Sequence, residues 1–195
     1  MDTKKLPAKD LITVGIFCAI YFVVMFIVVM TTGILPLLWL FEGAFIGIVC
    51  GTVYMLFLTR VRRFGMISLM GTLLGIVMVL MGSMWPVLVF AVLSALIADL
   101  ITKQGNYTSL RAGLAGYCVF GIWPVGTALP LWLARDAYLE YTAAGYGADY
   151  AEGLASLTPL WILPLMLITA VVGSCIGGLI GKGILKKHFE RNGIA

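Results

Sequence analysis

From Leu11 to Met30 the chain runs for 20 residues without one charged side chain. About 20 apolar residues is the length an α-helix needs to cross the hydrocarbon of a bilayer, since each adds only about 1.5 Å along the axis. Further runs of this kind follow. In total 62% of the 195 residues are hydrophobic and 11% charged, with a mean hydropathy of +1.06. A sphere this small cannot hide them all, so most must face a medium that is itself apolar. A net charge of +4 and a pI near 8.9 would suggest nucleic acid in a soluble protein. Here the basic residues are better explained as topology signals, and nucleic acid is set aside as a partner.

Six segments are long and apolar enough to span, at about 10–31, 36–59, 64–82, 85–102, 110–134 and 157–185. The expected fold is therefore an all-α integral membrane six-helix bundle forming a single transmembrane domain over 1–195. No small-residue cleavage site follows the first run, which reads as a retained helix and not a signal peptide. Residues 135–156, "RDAYLEYTAAGYGADYAEGLAS", are the only long polar connection and are expected to form an ordered loop.

Lysine and arginine in short loops stay in the cytoplasm. Lys4, Lys5 and Lys9 precede the first segment, and Arg60, Arg62 and Arg63 follow the second. Lys103 and Arg111 lie between the fourth and fifth; Lys182, Lys186, Lys187 and Arg191 close the chain. Twelve of thirteen basic residues thus fall on one side, with Arg135 alone on the other. Both ends are expected in the cytoplasm. The 135–156 connection then faces outward, with Asp136, Glu140, Asp149 and Glu152 against one arginine.

The usual catalytic groups are sparse. The single histidine, His188, lies in the basic tail, which removes His-based triads and HExxH zinc sites. There is no GxxxxGK[ST] phosphate loop, so ATP-driven work would fall to a partner chain. Cys18, Cys50, Cys118 and Cys175 sit in apolar runs without metal-knuckle spacing and read as small core residues. The expectation is a non-enzyme with no cofactor or metal of its own.

All five tryptophans fall in the outer half. Trp39 opens the second segment, Trp85 sits at the turn before the fourth, Trp123 and Trp132 lie in the outer part of the fifth, and Trp161 begins the sixth. An ordinary aromatic belt decorates both interfaces. As a set these residues point to an outward-facing, aromatic-lined cavity, with a one-sided belt as the alternative. Proline repeats the bias: apart from Pro7, all lie outward. Pro36, Pro86 and Pro159 read as helix starts and Pro124, Pro130 and Pro164 as kinks, which membranes tolerate where protein or a polar cavity covers the backbone.

Glu42 lies about 9 Å inside the outer end of the second segment. An intramembrane carboxylate normally faces a cavity or a partner. It reads as a binding-site residue, or else as an interfacial acid reaching water. Asp99 is expected to pair with Lys103 one helical turn on. Gly43, Gly47 and Gly51, and Gly173, Gly177 and Gly181, recur every four residues, and such rows let helices approach closely in lipid. The pair Gly15 and Ala19 is the candidate for docking another membrane subunit.

With these features the chain resembles the substrate-binding S components of energy-coupling-factor (ECF) ABC importers, which take up vitamins and other micronutrients. Family members often carry Ala-x-x-x-Ala on the first helix, against which the transmembrane T subunit packs. Here the stretch is "GIFCA", with Gly15 in place of the first alanine. The segments "ADLITKQGNYTSLRAGLAGYCVFGIWPVG" (98–126) and "YLEYTAAGYGADYAEGLASLTPLW" (138–161) resemble the MptD-type, or Trep_Strep, group. The resemblance implies a T subunit and two ATPase subunits as partners, and a receptor that topples in the bilayer to deliver its cargo. It associates the group with haem or an iron chelate as transported ligand. It also distributes the binding residues: Trp39 and Glu42 after the first helix; Met84 and Trp85 after the third; and Trp123, Trp132, Arg135, Tyr138, Tyr141, Tyr146, Tyr150 and Trp161 around the fifth and sixth. Arg135 could clamp a ligand carboxylate or pair with Asp136 or Glu140. Two further readings are a proton-coupled secondary carrier using Glu42 and an intramembrane transferase using Glu42 and Asp99.

Overall fold

The computed structural model describes residues 8–60 and 62–191, with side chains through residue 185. Lys4, Lys5 and Pro7, and the side chain of His188, lie outside what is described. Every regular element in the described residues is helical. Four helices are long and apolar enough to cross a membrane: α1 (Ala8–Thr32), α3 (Glu42–Arg60), α5 (Pro86–Gln104) and α10 (Ile162–Arg191). A shorter apolar helix, α4 (Met66–Leu80), packs against α5 and α1. Their outward faces carry Ile12, Val23, Ile27, Leu93, Ile168 and Val172, each more than half exposed. Water would not tolerate such a surface, whereas lipid does.

Two of the expected continuous segments are broken. The second divides into a short α2 (Pro36–Leu40) and α3, because at Phe41 the bonding tightens to i→i+3 contacts from Phe41 to Leu38 and from Ala44 to Phe41. Pro36 sits at the first turn of α2, where its missing N–H costs nothing. The fifth segment divides into α6 (Leu110–Phe120), a 3-10 turn (Trp123–Thr127) and α7 (Pro130–Leu133). Pro124 and Pro130 each remove a ladder donor, so they interrupt this helix outright and do not merely kink it. Pro164 stands in the first turn of α10, where proline is tolerated and forces no break. Gly126 lies so near α5 that a Cβ on it would stand 2.7 Å from Cβ of Phe90.

The 135–156 connection is a helical hairpin and not a loop. It comprises α8 (Arg135–Tyr146) and α9 (Ala148–Leu157), reversed at Gly147, whose φ of +94° suits only glycine. The hairpin tyrosines Tyr138 and Tyr141 are three residues apart, a helical spacing, which puts both on one face.

The two glycine rows meet each other. The Gly43, Gly47 and Gly51 face of α3 lies directly on the Gly173, Gly177 and Gly181 face of α10. A Cβ on Gly47 would stand 2.6 Å from the Ser174 nitrogen, and one on Gly51, Gly173 or Gly177 would strike opposing backbone. At this distance Tyr117 of α6 donates its phenol to the Gly47 carbonyl at 2.7 Å. Around that bond Tyr21, Tyr54, Phe120 and Trp123 fill the main core, with Tyr54 and Tyr117 ring centres 4.6 Å apart. A second cluster, built on Leu40, Leu131, Leu154 and Met166, lies beneath the hairpin.

The basic connections gather at the end opposite the hairpin. There Arg63 meets Asp10 at 3.2 Å, tying the α3–α4 connection to the start of α1. Asp99 does not pair with Lys103. Its carboxylate turns inward to the start of α4, and Lys103 instead sits 4.9 Å above the ring of Phe64. The cysteines are free thiols, Cys18 and Cys50 buried and Cys118 and Cys175 half-buried.

Candidate functional site

A cavity of about 530 Å³ opens at the hairpin end. The last turns of α1 supply Met25, Phe26 and Met30, the α2–α3 break supplies Trp39 and Glu42, and the end of α4 with the turn after it supplies Met78, Met81 and Met84. The hairpin closes the remaining side with Tyr138, Tyr141, Tyr146 and Tyr150. This volume suits a small organic molecule, not a peptide.

The break in the second segment does the positioning. A straight helix would carry Trp39 and Glu42 on one continuous axis, whereas the turn at Phe41 sends both to the cavity wall from separate helices. Trp39 leans on Tyr138 of α8, ring centres 6.4 Å apart and 36° inclined. Tyr146 and Tyr150 stack across the Gly147 reversal at 5.1 Å and 26°. Gly82, in the α4–α5 turn with φ +102°, brings that turn close enough that a Cβ there would lie 3.6 Å from the Tyr141 hydroxyl.

Glu42 is 7% exposed and faces this space. Among the described residues its one hydrogen-bond partner is Thr32, whose hydroxyl lies 3.5 Å from Oε2 while standing at 2.9 Å from the Val28 carbonyl. The shorter bond takes the proton, so the carboxylate keeps almost all of its accepting capacity unused. It also begins α3, where the first-turn N–H groups favour a negative charge. The hairpin tyrosines feel it. Burial pushes the Tyr150 phenol up to about 12, with the Tyr146 phenol and the Glu42 charge adding to the effect. Burial raises Tyr138 as well, the Glu42 charge coming second.

The structure thus brings together Trp39, Glu42, Met84, Tyr138, Tyr141, Tyr146 and Tyr150. It holds the other predicted residues elsewhere. Trp123 is fully buried in the main core, and Trp132 packs into the cluster beneath the hairpin. Trp85 and Trp161 are 68% and 64% exposed, so of the five tryptophans Trp39 alone lines the cavity. Arg135 neither faces the cavity nor pairs with Asp136 or Glu140. Its guanidinium donates to the carbonyls of Ala155 at 2.7 Å and Thr158 at 3.1 Å, closing the end of α9 onto the start of α8. Gly15 and Ala19 are exposed on α1, with open space where a Gly15 side chain would be. The residues that sequence reasoning missed are Met25, Met30, Met78 and Met81. Their signal was the spacing of Met78, Met81 and Met84 at three-residue intervals beside an already suspected turn.

The geometry defines a class: a multi-pass helical integral membrane protein with a ligand-sized cavity at one end of its bundle. Residues 8–191 match the model of Trep_Strep, described as a hypothetical bacterial integral membrane protein, and the chain belongs to that family. No curated protein and no solved structure matches the chain.

Proposed function

We propose that this protein is the substrate-binding membrane subunit of an ECF-type importer, capturing a small micronutrient from outside and delivering it by toppling on a T subunit driven by two ATPase subunits. The observation that carries this reading is the cavity itself, walled by both halves of the chain and closed by a hairpin at the end opposite the basic connections. On this reading the bundle crosses the membrane six times, the segment of α6 to α7 completing a span through its 3-10 turn. The positive-inside rule then places the hairpin outside. Gly15 and Ala19, exposed on α1, offer a flat strip on which helices of a T subunit could lie. Haem or an iron chelate would find tyrosine, methionine and Glu42 in this cavity but no lysine or arginine for its carboxylates.

Co-expression with a T subunit and two ATPase subunits tests the proposal. A stable four-chain complex after purification, and uptake that needs ATP hydrolysis, is the expected result; failure to assemble overturns it. A second reading, a proton-coupled carrier, is favoured by the near-unpartnered carboxylate of Glu42. It predicts uptake driven by a proton gradient without ATP and abolished by Glu42→Gln.

A further inference from the structure

The cavity has a charge pattern of its own. Its one carboxyl group is that of Glu42, and none of its lining residues is lysine, arginine or histidine. Arg135, the only basic residue between Arg111 and Lys182, is spent on two backbone carbonyls. The hairpin that forms one wall exposes Asp136, Glu140, Asp149 and Glu152. A group entering from this end therefore meets acids first and then a buried carboxylate, with no compensating cation on the way.

A buried carboxyl with nearly all its lone pairs free keeps its proton until something positive or hydrogen-donating completes the ionised form, and a bound cation does so. The surroundings say what kind of cation would do so. Trp39, Tyr138 and the stacked Tyr146 and Tyr150 present ring faces and edges around the space in front of Glu42, and aromatic rings attract cations through their quadrupoles. Six methionine and phenylalanine side chains from α1, the end of α4 and the α4–α5 turn supply polarizable apolar contact for the rest of a ligand. A small hydrated metal ion would leave this apolar lining unused.

We infer that the cavity selects an organic cation, an ammonium or cationic heteroaromatic group on an apolar body, with Glu42 as counter-charge and Trp39 and the hairpin tyrosines as its aromatic cage. The inference rests on the receptor reading above and narrows it to a ligand class. The hairpin acids raise the local concentration of such cations at the entrance, an effect that weakens as salt is added.

The test is equilibrium dialysis of the full chain in phosphatidylcholine nanodiscs, with empty nanodiscs as blank. The probes are three bicyclic molecules of matched size: 1-methylquinolinium, neutral quinoline and 2-naphthoate. The expected result is retention of the cation at least about tenfold above the anion, with Glu42→Gln lowering cation retention about tenfold and changing quinoline less than about twofold. Trp39→Leu should weaken cation and neutral probe together. Naphthoate retained as well as the cation, or a Glu42→Gln protein that holds the cation unchanged, overturns the inference while leaving the receptor reading standing. Should Glu42→Gln fail to elute as a monodisperse species, the wild-type ratio of cation to anion decides alone. No Trp39-dependent retention of any probe overturns the cavity as the ligand site. The four-chain assembly assay is scored separately, so loss of the receptor reading shows there and not in the dialysis.

Discussion

Oδ2 of Asp99 on α5 accepts the backbone N–H of Gly65 at 2.8 Å, and so caps a helix to which it does not belong. Gly65 is the N-cap of α4 and has no side chain to satisfy the first-turn donors. The same oxygen takes the Ser68 N–H at 3.1 Å and the Ser68 hydroxyl at 2.9 Å, while Oδ1 takes the phenol of Tyr107 at 2.7 Å. One carboxylate thereby joins α4, α5 and the connection leading to α6. Asp99→Asn keeps the shape but presents an amide N–H₂ to donors on one side or the other. A loss of about 1–3 kcal/mol is expected, read as a lower thermal unfolding midpoint in detergent. An unchanged midpoint would contradict the capping role.

The face between α3 and α10 predicts a contrast between two glycines of one helix. Gly177→Ala drives a methyl into the carbonyls of Gly47 and Ile48, and backbone cannot step aside as a side chain can. Overpacking of this kind costs about 1–3 kcal/mol. Gly183→Ala, where a Cβ meets nothing, should be neutral or stabilising by up to about 1 kcal/mol through helix propensity. Unfolding midpoints of the two variants measured side by side check the pair. Equal effects would mean that the glycine row is not a packing surface.

Much of this architecture was legible because it follows from one-dimensional rules. The four long spans come from length and hydropathy, and the facing glycine rows come from a four-residue period that only close packing explains. What was not legible depends on contacts between distant residues. Asp99 and Lys103 have the spacing of a surface ion pair, yet burial of Asp99 beside an uncapped helix start outweighed a solvated partner. Tyrosine and tryptophan look alike in sequence as pocket formers. Trp123 went to the core because the broken α6–α7 segment turns it inward among Tyr21 and Phe120, a break that only the pair Pro124 and Pro130 hinted at. Residues 135–156 read as a loop because their mean polarity hid the helical spacing of Tyr138 and Tyr141.

Gly15 separates folding from assembly. It faces open space, so Gly15→Leu should leave the unfolding midpoint of the isolated protein within about 0.5 kcal/mol of wild type. If the proposed receptor docks through this face, the same bulk should reduce recovery of the complex with T and ATPase subunits, more so combined with Ala19→Leu. Pull-down yield at matched expression checks this. A variant that assembles normally would move the docking surface off this face of α1.

Arg135 holds the hairpin shut by a charge-assisted grip on two carbonyls, each such bond contributing about 1.5–3 kcal/mol. Arg135→Met keeps the stem's packing and removes both bonds. The expected outcome is faster protease cleavage within residues 146–158, with little change in the global unfolding midpoint, since the glycine-lined core lies elsewhere. Arg135→Lys should recover part of the protection, one ammonium reaching one carbonyl. Unchanged cleavage in Arg135→Met would show that the apolar cluster beneath the hairpin suffices.

The hairpin phenols give the pH dependence. Tyr150 is pushed up to about 12 from an ordinary value of 10, first by its burial and then by Tyr146 and Glu42, and Tyr138 moves the same way. The folded protein therefore holds these protons more tightly than the unfolded chain does. The Tyr150 contribution to stability is fully present below pH 10 and is lost as pH rises through 12. Both phenols stay protonated well above neutral pH, so ligand binding should not change through their ionisation between pH 7 and 9. Ultraviolet titration of tyrosinate checks the sign: a late-ionising fraction should appear above pH 10, and Tyr150→Phe should remove part of it. Complete ionisation near the ordinary value would mean that the hairpin stands open and Tyr150 is not packed against Tyr146 at the cavity wall.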